Sequence, residues 1–231
     1  CPVGALTSKP YAFVARPWEL KKTESIDVMD AVGSNIRVDA RGREVLRVLP
    51  RLHEDVNEEW ISDKTRFAVD GLTRKRLDKP FVRRDGKLTQ ASWADVLAAV
   101  AERLHARGGD KIAAIAGDQV DCETMFAMSS LMRTIGSPNM DCRQDGMAFE
   151  PGVRASYLFN STIAGIENAD ACLLIGCNPR QEAALVNARL RKRWMRGGFK
   201  VASVGPQLDL TFPVNHLGAG PDSLRHLAAG E

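Results

Sequence analysis

Cys1 is the residue with the clearest capacity for chemistry, and Pro2, Gly4 and Ala5 follow it closely. A cysteine followed by proline is typical of the last ligand of a four-iron cluster, because the thiolate binds iron and the proline stops the chain from continuing as a helix. Gly4 lets the backbone pass close to such a cluster, with amides free to point at its sulfurs. The pattern predicts that Cys1 is one of four ligands and that the other three lie upstream of residue 1.

Two other interpretations of Cys1 stay open. A cysteine at an N-terminus can be a lipidation site left by signal cleavage, although a flexible tether usually follows such a site. Here Pro10, Tyr11, Phe13 and Trp18 follow instead, as in a packed segment. Cys1 can also be an ordinary cysteine at a chain end. A short motif is a hypothesis until its structural context is known.

The composition excludes several classes of function. The 231 residues include 32 basic and 29 acidic side chains, a net charge of +3 that is too balanced to indicate nucleic-acid binding. No signal peptide and no apolar run long enough to span a bilayer are found, which predicts no direct membrane insertion. An odd number of cysteines without a CxxC spacing argues against a disulfide framework and indicates a reducing compartment. They are Cys1, Cys122, Cys142, Cys172 and Cys177.

Period-two alternation over residues 20–50 predicts a small antiparallel sheet, with a hairpin turn at Arg41-Gly42. Further along, Ser92 is a good N-cap for a helix that ends at Gly108-Gly109. The apolar run Ile112–Ala116 predicts a strand covered on both faces. A second helix is expected from Cys122 to Ile135.

Strands and helices are predicted to alternate again further along the chain, with a strand at Ala171–Ile175, a helix at Gln181–Met195 and a strand at Val201–Val204. Alternating strands and helices predict a doubly wound parallel sheet, whose functional loops lie at the carboxyl ends of its strands. Gly117, Gly176–Pro179 and Gly205 are therefore expected to line one crevice. The basic run at 189–196 is interpreted as a solvated helix face, or else as a docking patch for an acidic neighbouring subunit.

Long stretches of the chain closely resemble the family of large iron–sulfur subunits of respiratory complex I, the NADH:quinone oxidoreductase, within the molybdopterin-oxidoreductase-like superfamily. The resemblance is strongest over residues 1–80 and extends to about residue 206. The stretches that carry it are Thr7–Phe13, Arg16–Glu19, Thr23–Asn35, Leu49–Arg51, His53–Asp55 and Asn57–Phe67.

This resemblance implies a fragment of α/β class, with a small antiparallel β domain before a doubly wound parallel-sheet domain of molybdopterin-oxidoreductase type. Residues 1–20 would end an upstream iron–sulfur domain. Residues 21–80 would form the small β domain, and residues 81–231 the first part of the α/β domain.

In the superfamily the small β domain carries its own four-iron cluster, held by three cysteines near residues 23–34 and a fourth about where Ser62 stands. This chain has no cysteine between residues 2 and 121. One serine cannot replace four thiolates, so we expect no cluster in residues 21–80. Lys64, which in relatives lies between the cluster and the pterin, is then expected to be a surface or ion-paired lysine.

The turn Gly176-Cys177-Asn178-Pro179 resembles the one that approaches the guanine dinucleotide end of a molybdopterin cofactor. A glycine allows close backbone approach and an asparagine can bond a nucleotide, although Asn-Pro after a strand is a common turn. The only soft metal ligand in the loop 141–147 is Cys142, and it does not fall on the family's ligand position. Gly176, Asn178 and Pro179 are therefore candidates for a vestigial pterin crevice, with no molybdenum cofactor expected.

The resemblance implies a peripheral-arm subunit that passes electrons from NADH to quinone through iron–sulfur clusters. Cys1 would be a metal ligand, no residue would be catalytic, and the remainder would act as scaffold. The implied partners are other peripheral-arm subunits, on the cytoplasmic side of a bacterial inner membrane or the matrix side of the mitochondrial one. The alternatives are a molybdopterin-dependent oxidoreductase with its own substrate and a structural module without cofactor.

Overall fold

The computed structural model describes residues 6–142 and 152–230, so Cys1 and the loop residues 143–147 lie outside the described part. The chain divides into two compact units. The first comprises Cys1–Arg74 together with Leu158–Glu231, and the second is Lys75–Tyr157.

The strands in the described part are β1 Lys21–Ile26, β2 Asn35–Arg41, β3 Glu44–Pro50, β4 Phe81–Arg84, β5 Lys87–Gln90, β6 Ala114–Ile115, β7 Met140–Asp141, β8 Ala171–Ile175, β9 Lys200–Val204 and β10 Asn215–Gly218. The α-helices are α1 Asp63–Phe67, α2 Trp93–His105, α3 Cys122–Thr134, α4 Pro179–Glu182, α5 Ala184–Met195 and α6 Pro221–Ala229.

The first unit begins with an antiparallel sheet in the order β1-β2-β3. Gly42 turns the chain between β2 and β3 with φ +61°, a conformation that favours glycine. Ile36, Val48 and Ile61 form the core beneath this sheet. The antiparallel sheet and the hairpin predicted for residues 20–50 are confirmed, but the half-buried pattern holds only for β2 and β3, because every residue of β1 is exposed.

Asn57 ties the loop after β3 to the sheet, with its residue only 2% exposed. Its Oδ1 accepts a hydrogen bond of 2.9 Å from the amide of Asn35, at the start of β2. Its Nδ2 donates to the carbonyls of Arg51 at 3.0 Å and Trp60 at 3.1 Å. A buried side chain that serves three backbone positions holds this loop in one conformation.

The same unit also contains a parallel sheet in the order β10-β9-β8. Helix α5 packs against one face of it, where Leu190 is 2% and Leu210 0% exposed. Trp194 and Phe212 stack with ring centroids 6.0 Å apart. Burial of such side chains contributes about 1.5–3 kcal/mol each and makes this the main core of the unit.

The second unit contains the β4–β5 hairpin, helices α2 and α3, and the short parallel pair β6–β7. Among its described residues only Ala116, Met132 and Ser137 are buried. The apolar stripe that predicts α2 is present, but Trp93 and Leu97 on it are 68% and 61% exposed. The helix follows the predicted periodicity without burying its apolar face among the described residues.

The observed architecture confirms the predicted α/β class, with an antiparallel sheet first and parallel sheets later. The strand predicted at Ile112–Ala116 was wrong in extent and burial. Only Ala114–Ile115 is extended, and Ile115 is 67% exposed because, within the described residues, β6 pairs with one two-residue strand alone. The helix predicted from Gln181 starts at Pro179 and is interrupted at Ala183, whose φ of −148° and ψ of 68° are not helical.

Candidate functional site

A buried chain of hydrogen bonds occupies the place where the resemblance puts a cluster in the small β domain. The hydroxyl of Thr65 donates to Oδ2 of Asp27 at 2.6 Å and lies 2.8 Å from Oγ of Ser62. These residues are 4%, 4% and 8% exposed, respectively. Ser62 also accepts from the amide of Thr65 at 3.3 Å and so caps helix α1. The position near Ser62 is therefore filled by oxygen–oxygen hydrogen bonds.

The loop 27–34 closes on its own carboxylates. Oδ1 of Asp27 accepts from the amide of Met29, and Oδ1 of Asp30 accepts from the amide of Val32, both at 3.0 Å. The amide of Asp27 donates to the carbonyl of Ser34 at 2.8 Å. Carboxylates that accept from the amide two residues ahead form Asx turns, which stabilise the loop.

Lys64 links this loop to a distant helix. Its Nζ lies 3.2 Å from Oδ2 of Asp30 and donates to the carbonyls of Gln181 and Glu182, both at 3.3 Å. The predicted ion-paired lysine is thus confirmed. The two carbonyl partners were not found from the sequence, because they lie 117 and 118 residues further along the chain.

The turn Gly176–Pro179 stands at the carboxyl end of β8, as predicted. The amide of Gly176 donates to the carbonyl of Val204 at 2.9 Å. A Cβ on Gly205 would lie 3.4 Å from the backbone of Gly176, so the ends of β8 and β9 approach closely. Gly117 belongs to the second unit and follows a different sheet, and its place in the same crevice stays a prediction.

The polar groups of this turn do not fit an anionic dinucleotide. Oδ1 of Asn178 accepts from the amide of Arg180 at 3.2 Å, and the amide of Asn178 donates to Oε2 of Glu182 at 2.6 Å. The Glu182 carboxylate therefore already accepts from the amide of Asn178, and it would repel a phosphate brought close to this turn. Pro179 is buried as the first residue of α4. The hydrogen-bonding groups of Asn178 in this turn are thus bonded to neighbouring residues of the same chain.

An ion network around the buried Arg189 joins α5 to the loop after β3. Nη1 of Arg189 lies 2.5 Å from Oε1 of Glu167, and Nζ of Lys192 lies 2.6 Å from Glu58 and 2.9 Å from Glu167. Burial alone raises the pKa of Glu167, but hydrogen bonds from Lys192, Arg189 and Arg196 outweigh this effect and lower the pKa from 4.5 to about 2. The hydrogen bonds that Lys192 donates to Glu58 and Glu167 raise the pKa of Lys192.

The interpretation of the basic run at 189–196 as a solvated face is right for Arg191 and Arg196, which are exposed, and wrong for Arg189, which is buried. Arg189 is 5% exposed, and its Nη2 donates to the carbonyl of Glu54. Arg191 donates to the carbonyl of Thr211 at 2.5 Å, and Arg193 to that of Ala169 at 2.8 Å. The cations are paired inside the unit because several carbonyls and two glutamates converge on one side of α5.

No group of three or more His, Cys, Asp or Glu side chains able to hold a metal ion occurs within residues 6–142 and 152–230. Cys172 is half-buried, and burial raises the pKa of its thiol. Cys122 is exposed at the start of α3. The metal-ligand prediction for Cys1 concerns a residue outside the described ones and stays a prediction. In that same part of the chain, no helix is long and apolar enough to cross a bilayer.

Two protein-family models match the chain. The family described as "Molybdopterin oxidoreductase" matches residues 76–231. The one described as "NADH-ubiquinone oxidoreductase NDSU1/NuoG-like, 4Fe-4S domain" matches residues 20–70, although these contain no cysteine.

Similar curated proteins cover the whole chain. A mitochondrial NADH dehydrogenase [ubiquinone] iron-sulfur protein 1 of Solanum tuberosum is 53% identical over 231 residues, which are 100% of this chain and 31% of that protein. The mitochondrial NADH-ubiquinone oxidoreductase 78 kDa subunit of Neurospora crassa is 52% identical over 237 residues, 100% of this chain and 32% of its own. An NADH-quinone oxidoreductase subunit of Rickettsia felis is 50% identical over 230 residues, 100% of this chain and 34% of its own.

The chain thus spans about a third of the length of the relatives it matches. The resemblance inferred from Thr7–Phe13, Thr23–Asn35 and Asn57–Phe67 is confirmed. The chain belongs to the molybdopterin oxidoreductase family and is similar along its whole length to the large iron–sulfur subunits of NADH:quinone oxidoreductases.

Proposed function

We propose that this chain works as part of a large iron–sulfur subunit of NADH:quinone oxidoreductase, in the peripheral arm that carries electrons from NADH to quinone. The observation that carries the proposal is the identity of 50–53% to such subunits over the full chain. The partners would be other peripheral-arm subunits. The subunit would belong to the cytoplasmic side of a bacterial inner membrane or the matrix side of the mitochondrial one, held there by those neighbours.

Cys1 is proposed as one ligand of a [4Fe-4S] cluster whose other three ligands lie upstream. When bound, such a cluster accepts and passes on single electrons, at a potential set by burial and by hydrogen bonds to its sulfurs. The residues after Cys1 act as scaffold, with the proposed division into 1–20, 21–80 and 81–231. In residues 21–80 the hydrogen bonds of Asp27, Ser62 and Thr65 support a β domain that folds without a cluster of its own.

No molybdenum cofactor is expected in the turn Gly176–Pro179, because Glu182 already holds the amide of Asn178. The alternative function, a molybdopterin-dependent oxidoreductase with its own substrate, is favoured by the family match over residues 76–231. The contacts of Asn178 and Glu182 argue against it. Metal content therefore separates the two functions.

The test is purification of the native assembly through an affinity tag on the complete protein that contains this chain. We expect NADH:quinone oxidoreductase activity to elute with the tagged chain, together with iron and acid-labile sulfide. Molybdenum or tungsten at one atom per chain would support the alternative. Activity that elutes entirely apart from the tagged chain would overturn the proposed function.

A further inference from the structure

A strongly basic stretch, Lys75–Gln90, lies in the second unit, and we call it the basic strip. It carries six cationic and two acidic side chains, while the rest of the sequence carries 26 cationic and 27 acidic ones. The positive net charge of the chain therefore comes entirely from this strip. Its cations are Lys75, Arg76, Lys79, Arg83, Arg84 and Lys87.

The basic strip is almost fully exposed. Apart from Pro80 and Val82, which are half-buried, each of its residues is exposed. Its apolar side chains are exposed as well, with Leu77 at 89% and Leu88 at 62%. Within the described residues, only Arg83 among its cations has a hydrogen bond, to the carbonyl of Gly86 at 2.6 Å. Six cations that have no counter-ion in that part of the chain, beside exposed leucines, are typical of a surface that receives a partner.

The strands of the strip strengthen this interpretation. β4 and β5 pair only with each other among the described residues, joined by an Asp85-Gly86 turn with φ values of +48° and +78°. An isolated two-stranded hairpin is marginally stable in water. Within residues 6–142 and 152–230, each of the two strands keeps one edge that pairs with no other strand, and another extended polypeptide can complete it. A lipid headgroup or a nucleic acid offers no such backbone, so the open edges favour a polypeptide partner.

We propose that the basic strip is a docking surface for an acidic segment of another polypeptide in the same assembly. This proposal rests on the proposed function, which places the chain among other subunits. Carboxylates of the partner pair with the cations at 75, 76, 79 and 87. Apolar side chains of the partner cover Leu77 and Leu88, and the partner's backbone extends the β4–β5 hairpin.

The first test is zero-length carbodiimide coupling in the intact native assembly, which joins lysine amines to carboxylates in direct contact. We expect Lys75, Lys79 and Lys87 to be coupled to a cluster of Asp or Glu on a different chain, identified by mass spectrometry of the joined peptides. The proposal is overturned if these lysines stay uncoupled or couple only within their own chain. Coupling to a second copy, detected by mixing isotope-labelled and unlabelled protein, would also overturn it.

The second test reverses charge with a matched control. The variant carrying Lys75→Glu, Arg76→Glu, Lys79→Glu and Lys87→Glu is compared with one carrying Lys21→Glu, Lys22→Glu, Lys111→Glu and Lys200→Glu, all at exposed positions. The quantity measured is the amount of the partner chain, as identified by the coupling, that co-purifies with each uncoupled variant. We expect it to fall roughly tenfold in the first variant and to stay unchanged in the control. Equal recovery from both variants refutes the proposal.

The two proposals fail in different ways. If the wild-type assembly has NADH:quinone activity but the lysines of the basic strip stay uncoupled, only the docking proposal is refuted. If the tagged chain elutes without this activity, the proposed function is refuted, even if the lysines of the strip are coupled to an acidic partner. If the charge-reversed chain does not fold, the coupling of the wild-type lysines still decides.

Discussion

At the scale of single residues, buried polar side chains stand where the family resemblance implies a cluster. Asp27, Ser62 and Thr65 are buried and satisfy one another through hydrogen bonds of 2.6 and 2.8 Å. Ser62, which stands where the resemblance implies a cysteine, therefore belongs to a hydrogen-bonded group that stabilises the fold. The absence of cysteine between residues 2 and 121 could be seen in the sequence. The sequence did not reveal Thr65 as the bridge, because Asp27 and Thr65 are 38 residues apart.

The substitution Thr65→Val tests this group. Valine keeps the shape but leaves Oδ2 of Asp27 buried without its donor, which costs about 1–3 kcal/mol of unfolding free energy. The measurement is urea denaturation at pH 7. Thr73→Val is the control, since the Thr73 hydroxyl is exposed and donates to a carbonyl at 3.2 Å. Equal loss in both variants would contradict the role given to Thr65.

The lowered pKa of Glu167 makes stability depend on pH. Because this pKa falls from 4.5 to about 2 on folding, the ionised carboxylate stabilises the fold above pH 4.5. That contribution is lost as the pH falls from 4.5 through 2. We expect Glu167→Gln to be less stable at neutral pH and to lose less stability over this acid range than the wild type.

The measurement for Glu167 is the denaturation midpoint at a series of pH values. Glu102→Gln serves as the control, because the Glu102 side chain is exposed and has no ion pair among the described residues. If Glu167→Gln follows the same pH profile as the wild type, the ion network does not set the pKa of Glu167 in solution.

At the scale of elements, helix starts could be predicted from local chemistry. Oγ of Ser92 accepts from the amide of Asp95 at 3.1 Å, as the spacing of the two residues predicts for the start of α2. The break at Ala183 could not be predicted. It follows from the turn at Asn178-Pro179, which starts α4 before the apolar periodicity of α5 begins.

Ser92→Ala removes the N-cap of α2. We expect a loss of about 1 kcal/mol in the free energy of unfolding of the second unit, measured by hydrogen exchange of the α2 amides. Ser92→Asp should restore the protection, since aspartate accepts the same hydrogen bond. If alanine and aspartate at this position behave alike, capping does not stabilise α2.

At the scale of the molecule, the first unit is formed by residues from both ends of the chain. The two sequence segments meet at Arg189, whose guanidinium contacts Glu167 and the carbonyl of Glu54. Strand–helix alternation predicted the parallel strands at 171–175 and 201–204. It did not predict that the small β domain and these strands share one compact unit, because that depends on contacts between residues more than 130 positions apart.

Arg189→Met breaks the ion network while it keeps much of the side-chain volume. The glutamates lose their most buried partner but keep Lys192, so we expect a loss below the roughly 3–5 kcal/mol that a buried charge left without any partner costs. We expect faster hydrogen exchange at residues 53–58 and 164–168 and a lower denaturation midpoint. The exposed Arg43→Met should change neither. Unchanged exchange in both segments of the Arg189 variant would show that the network does not hold them.

The central claim is that Cys1 supplies a thiolate to a four-iron cluster and that no later residue of this chain does. The most direct measurement is the EPR spectrum of the reduced native assembly with Cys1→Ser, beside the exposed Cys122→Ser as control. The account predicts that one four-iron signal is lost or shifted in the first variant and that the control spectrum equals the wild type. An unchanged spectrum with Cys1→Ser, or the loss of a signal with Cys122→Ser, would contradict it.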